Sequence, residues 1–419
     1  MKAIVRKCRI VCPESIYNGK TRDILIENGI ILKIDEQIEA SDAIEISSEN
    51  LHVSIGWVDL FSTIPDPGAE QRETIESGAH AAAAGGFTTV FITPNTKPSI
   101  STKSQVEYVL KQNQHLPTEV LPIGCISKNG EGKELAEMYD MHNSGALVFS
   151  DGCNPVQNPN LMIKALQYAV ANDTLLIQIP DEHDISAHGL INEGLVSTMM
   201  GLPGKPSIAE ELMISRDIEL LRYTESKLHI TGISTASGLD KIRKAKQEGL
   251  NITCSVTPYH LYFCEDDLNT YDTHLKVNPP LRTSSDRDAL RKGLLDGTID
   301  CITSHHQPLH WDDTHCEFEY AKYGMNGWET CFSAIVGSVG YSDEWIEKLT
   351  TKPRMISKLS IPEIKEGSVA CLTLFDPQAE VEYTAEKLKS LSKNSAFLNK
   401  PFKGKIIGTI SNHKINLLP

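Results

Sequence analysis

Along the first 50 residues, short β-rich runs (AIVRKCRIV, DILIENGIILKI, AIEI) are separated by polar turns, which predicts the strands of a small sheet domain. From about residue 55 the period changes. Unbroken apolar runs such as GFTTVFITPN, GALVFSD, TLLIQIP, KLHITGIS, NITCSVTP and TIDCITS alternate with stretches of helical period. Among the latter are residues 102–114, NLMIKALQYAVAND, IAEELMISRDIELLRYTES and GLDKIRKAKQEGL. Strand-then-helix units with continuous apolar strands predict a parallel α/β architecture. About eight units in some 300 residues predict a closed (β/α)8 TIM barrel over an open sheet. Strands return near residue 360, in SVACLTLFDP and GKIIGTISNHKINLLP. The predicted division is therefore a barrel over 53–355 and a small β-sandwich built jointly by 1–52 and 356–419.

Charge and cysteine usage narrow the partners. A net charge of −15 argues against a nucleic-acid backbone or an anionic membrane surface. No run approaches the roughly 20 apolar residues of a membrane span. The opening MKAIVRKCRIV is broken by charges and does not read as a signal peptide. Ten cysteines are scattered without a CxxC pair, which predicts reduced, mostly buried thiols in a cytoplasmic protein and no zinc–cysteine site.

In a barrel of this kind chemistry belongs just beyond the C-terminal ends of the strands. The residues there are Phe61 and Thr63, Asn95, Asp151, Ile179, Gly232, Tyr259 and His260, Asn278, and a cluster beginning at His305. His305, His306, His310, His315 and Cys316, with Asp312 and Asp313 between, are the densest set of potential ligands. Their spacing matches no standard metal motif, and a solvated polar loop explains it as well. His229 and His260 adjoin apolar strands and read as core histidines. Asp151 could be a metal ligand, a substrate contact or a cap before Gly152. Asn95 and Asn278 could contact a ligand or hold their own loops. The small-residue run AAAAGGF reads as close helix-to-strand packing, because it lacks the spacing of a phosphate loop.

Several motifs in one order carry a resemblance. ETIESGAHAAAAGGFTTVFITPNTKP, GALVFSDG, GLPGKPSIAEELMISRDI, LHITGIST, TPYHL, KVNPPLR and GTIDCITSHHQP resemble dihydroorotase, a cyclic amidohydrolase of the amidohydrolase superfamily. The resemblance runs from about residue 51 to 335 and more weakly into both ends. It implies a barrel with a β-sandwich, one or two zinc ions, and reversible closure of carbamoyl-aspartate to dihydroorotate in pyrimidine synthesis. Zinc supplies hydroxide at neutral pH by lowering the pKa of bound water to about 7. It takes imidazole and carboxylate ligands, usually four-coordinate.

Carried over residue by residue, the family's opening histidine pair falls on Phe61 and Thr63, and its carboxylate-binding arginine on Pro65. The bridging aspartate is retained as Asp151. The histidine of the next motif falls on Ile179, and the second histidine of the HIxHxST motif on Gly232. The catalytic aspartate falls on His305; the following histidine is kept as His306, and the last becomes Leu309. Two substrate-binding asparagines are kept as Asn95 and Asn278. An aspartate at 151 resembles the dihydroorotase branch, since hydantoinases use a carboxylated lysine at that slot.

These replacements predict a dihydroorotase-family chain that is non-catalytic and binds no cofactor, zinc included. Non-catalytic members of the family assemble with aspartate carbamoyltransferase, so the resemblance implies that partner. A homo-oligomer is expected as well. The alternatives are an active dihydroorotase or related cyclic-amide hydrolase with an altered site, and a module that binds a pyrimidine precursor through Asn95 and Asn278.

Overall fold

Eight of the apolar runs form parallel strands in chain order, in a computed structural model that describes residues 2–113 and 115–418. They are Trp57–Ser62, Phe87–Ile92, Glu119–Pro122, Val148–Phe149, Leu175–Gln178, Leu228–Ile230, Ile252–Val256 and Cys301–Ile302. The first three pair in sequence, as do the last five, and a parallel bridge from Gly124 to Phe149 joins the two sets. The ring closes between the eighth strand and the first. The Thr63 N–H donates to the His306 carbonyl at 2.7 Å, and the Ser304 N–H donates to the Asp59 carboxylate at 3.0 Å. Every residue of Trp57–Ser62 and of Phe87–Ile92 is buried, as expected of strands covered on both faces.

Helices pack outside the ring. Ile75–Ala84 begins with a capping box between Thr74 and Ser77, and its alanines 79 and 81–84 are buried. Gly85 follows because a Cβ there would lie 2.4 Å from the Trp328 carbonyl oxygen. The small-residue run is thus a close-packing device.

The two chain ends share one eight-stranded sheet. Strand His52–Ile55 pairs antiparallel with Leu372–Glu382, and Lys2–Ile10 lies on its other side. N-terminal and C-terminal residues such as Val5, Ile24, Val53, Leu372 and Ile410 fill a single apolar core. The 52/53 boundary drawn from sequence falls inside His52–Ile55, and the 355/356 boundary inside helix Thr351–Ser357. The link between the last two long strands returns to the barrel. There the Asn394 side chain donates to the carbonyls of Gln307 and Gly324 and accepts from the Leu309 N–H.

Candidate functional site

A cavity of about 430 Å³ opens among residues beyond the strand ends. One side is apolar: Phe61, Ile179, Leu190, Tyr259 and Leu309. His305 sits here in a left-handed conformation, φ 45°. Its ring centroid lies 4.7 Å from that of Phe61, and its Nε2 is 2.8 Å from the Thr231 hydroxyl. The imidazole occupies room that only a glycine at 232 leaves, because a Cβ there would come within 2.6 Å of His305 Cε1. Burial, with lesser contributions from the nearby His260 and His229, lowers the His305 pKa to about 3. It is a neutral group at physiological pH.

Asp151 does not line the cavity. Its carboxylate accepts from the Ile126 and Ser127 N–H groups, both at 2.9 Å, and from the Ser127 hydroxyl. Burial pushes its pKa up to about 6 against those hydrogen bonds. The carboxylate holds the 126–127 turn. Asn95, a substrate contact by the resemblance and a loop-holding residue by the alternative reading, also stands outside the lining. Its amide bridges the Asp151 carbonyl, at 3.2 Å, and the Cys153 N–H, at 2.9 Å. Of the two asparagines only Asn278 reaches the cavity.

The His305–Cys316 cluster separates in space. His306 is buried and stacked on Trp328, with centroids 3.7 Å apart, and its Nδ1 accepts from the Gly327 N–H. His310 and His315 are exposed, the latter stacked on Trp311. His229 and His260 are core groups: His229 contacts Thr253 and Ser255, and His260 contacts Thr257 and the carbonyls of Pro279 and Pro280. Burial lowers their pKa values to about 3 and about 4.

The residues at the apolar side do not fit a zinc ion. Its polar groups are the His305 imidazole, the Thr63 hydroxyl and the Cys153 thiol, whose pKa burial pushes up to about 11. Among the described residues no three His, Cys, Asp or Glu side chains converge on one point. Tetrahedral coordination needs at least three such donors.

The rest of the lining is largely charged, and sequence reasoning missed most of it. Lys276 lines the cavity together with Arg72, Lys322, Tyr323 and Glu319. Asp313 pairs with both Arg72, at 2.8 Å, and Lys322, at 2.7 Å. Behind Asn278 lies a buried ion pair: Lys205 Nζ is 2.6 Å from Asp181 and donates to Asn278 Oδ1 at 2.7 Å. Arg282, also buried, donates to Asn192 and to the Lys205 carbonyl. The signal that could have revealed the wall is the alternation in LKVN, where Leu275 and Val277 are apolar and Lys276 and Asn278 are not.

Comparison with known proteins places this architecture. The L-hydantoinase (dihydropyrimidinase) from Arthrobacter aurescens superposes with a TM-score of 0.83 over 99% of this chain and 95% of that one, at 22% identity. A D-hydantoinase from Thermus sp. gives 0.80 over 99% and 94%, at 16% identity. The fold is therefore that of the barrel-and-sandwich cyclic amidohydrolases. Within that class, the family described as Dihydro-orotase-like matches residues 52–237. A dihydroorotase from Carboxydothermus hydrogenoformans is 38% identical over 408 residues, 94% of each chain. One from Caldanaerobacter subterraneus subsp. tengcongensis is 39% identical over 402 residues, 94% of this chain and 93% of the relative. This chain belongs to the dihydroorotase family.

Proposed function

We propose that this chain is a dihydroorotase-family protein of pyrimidine biosynthesis that has given up zinc-dependent hydrolysis and acts as a structural or regulatory partner in the cytoplasm. The observation that carries the reading is the mutual fit of Phe61, Gly232 and His305. By the motif matches these are three of the positions at which the family places metal ligands or its catalytic aspartate. Here they hold an apolar ring, a bare backbone and a neutral, hydrogen-bonded imidazole. A zinc ion needs several donors at once, and a hydroxide at neutral pH needs the ion. Pro65 and Leu309 remove two further polar groups. Aspartate carbamoyltransferase is the proposed partner, by resemblance to non-catalytic members of the family, and self-association accompanies it. A barrel can keep an interaction surface after its strand-end chemistry has gone, because the two lie on different parts of the scaffold.

The test has three parts. Protein purified without chelator should carry no stoichiometric zinc by elemental analysis. Turnover of dihydroorotate and of carbamoyl-aspartate should stay at background, whereas an ordinary enzyme runs at roughly 1 to 10³ per second. Co-expression with aspartate carbamoyltransferase should give a joint, salt-resistant peak in size-exclusion chromatography. About one zinc per chain together with metal-dependent turnover would overturn the non-catalytic reading. Separate elution at micromolar concentration would overturn the partner.

A further inference from the structure

We infer that Cys371 is a site of thiol–disulfide exchange with small, carboxylate-bearing disulfides, and that the buried charge of Arg354 selects them. The site lies on the seam between barrel and shared sheet, apart from the strand-end cavity. Thr88 and Glu119, which border it, stand at the N-terminal ends of the second and third barrel strands.

A cavity of about 440 Å³ opens there, and Arg354 and Cys371 both line it. Arg354 is 4% exposed, and its Nε has no hydrogen-bond partner among the described residues. The other guanidinium nitrogens donate to the carbonyls of Ser360, at 3.2 Å, and Gly56, at 3.0 Å, and to the Thr88 hydroxyl, at 3.5 Å. No carboxylate takes up the charge. Buried charges are ordinarily paired, so this cation at a cavity wall is set for an anion from elsewhere.

The nearest group that can become an anion is the Cys371 thiol. Its sulfur accepts from Arg354 Nη2 at 3.7 Å and donates to the Thr88 hydroxyl at 3.5 Å. Burial lowers the Arg354 pKa, and the largest influence against that is Cys371, ahead of Glu119. Gly56 leaves the room for this meeting, because a Cβ there would lie 2.7 Å from the sulfur. Cys371 is half-buried. Burial pushes up the thiols of eight of the other nine cysteines, Cys12 and Cys153 to about 11, Cys8 and Cys254 to about 12. The ninth, Cys316, lies outside this cavity. Reactive cysteines sit beside cations in partly open surroundings, and that describes Cys371.

The exchange needs no oxidant beyond the disulfide itself. The Cys371 sulfur, as the anion, attacks one sulfur of the reagent; the new S–S bond forms as the old one breaks. The departing half leaves with the electron pair as a thiolate, and the proton of the Cys371 thiol passes to water. Cys371 is oxidised and the departing half reduced. Once in the disulfide, the Cys371 sulfur carries no charge and Arg354 is again unpaired. A carboxylate on the retained half supplies the missing anion, which is why the acid class is favoured.

The test exposes full-length, reduced protein near pH 7 to dithiodipropionate or to cystamine, disulfides of equal chain length and opposite charge. Peptide mass spectrometry reads the rate at Cys371, and N-acetylcysteine amide gives the intrinsic rate of each reagent. After that correction Cys371 should favour the dianion by at least about tenfold. Dithiothreitol should release the adduct, and raising the salt from about 0.02 M to about 0.5 M should shrink the preference. Arg354→Lys should keep most of it, whereas Arg354→Gln should bring it to about one. The parent chain and its salt series decide the matter without any variant. No adduct at Cys371, equal corrected rates for the two reagents, or a preference retained in folded Arg354→Gln would each overturn the site.

Discussion

Two polar clusters sit in the same barrel, one fully buried and the other at the wall of a cavity. Where the ring closes, the Asp59 carboxylate accepts from the Ser304 N–H and hydroxyl, from Trp328 Nε1 at 2.7 Å and from the Phe61 N–H at 3.3 Å. Both oxygens are fully engaged by the protein. At the cavity wall, Lys276 and Asn278 each keep a donor with no protein partner. Buried polar groups are nearly always satisfied, and the saturated cluster reads as architecture, whereas the donors at the cavity wall are open to solvent. Asp151, saturated by the 126–127 turn, belongs with the architectural cluster.

The contrast can be broken most forcefully at Asp59. Asp59→Ala strands several buried donors at the closure of the ring and should cost on the order of 4 kcal/mol in urea unfolding. A loss below about 1 kcal/mol would mean that closure does not depend on this carboxylate. Gly232→Ala comes next, since it combines φ +70° with a collision against His305. It should cost about 2 to 3 kcal/mol, and the double variant with His305→Ala should recover at least about 1 kcal/mol of that. Strict additivity would show that the glycine is not there for the imidazole.

The third expectation concerns pH. The folded-state pKa of His305 is depressed from 6.5 to about 3, so the unfolded chain takes up its proton first as pH falls. The stabilisation is complete above pH 6.5 and is lost as pH drops towards the folded value. Parent minus His305→Gln stability should therefore decline by about 2 kcal/mol between pH 7 and pH 5. A flat difference would show that the imidazole is solvated. The smallest effect is expected at Lys276. Without ligand, Lys276→Met should change stability by no more than about 1 kcal/mol, because removing an unpaired buried charge offsets the loss of two hydrogen bonds. A loss as large as that of Asp59→Ala would erase the distinction between the clusters.

Much of the scaffold was legible because apolar runs and helical periods are local. The strands GFTTVFITPN and TLLIQIP announce themselves within ten residues. The candidate site was legible only in part. Phe61, Ile179, Gly232, His305 and Asn278 were placed at strand ends, and they line the cavity or, for Gly232, abut the His305 that does. Asn95 and Asp151 were placed at strand ends too, but side-chain direction and local N–H donors decide whether such a residue faces the cavity, and neither is written in the spacing. Asp59 gives no local sign of its role, because its partner Ser304 lies 245 positions away. Lys276 was not legible because a single lysine beside an asparagine in KVNPPLR carries no pattern that separates a buried cation from a solvated one.

The sheet shared by the chain ends has a consequence for biosynthesis. Ser48 waits for Asp376, 328 positions later, and the edge of His52–Ile55 waits for Leu372–Glu382. At ribosomal rates of about 5–20 residues per second, that edge stands unpaired for tens of seconds. An open strand edge recruits other strands, so the nascent chain carries its greatest risk of misassembly in its first 55 residues, before the barrel is complete.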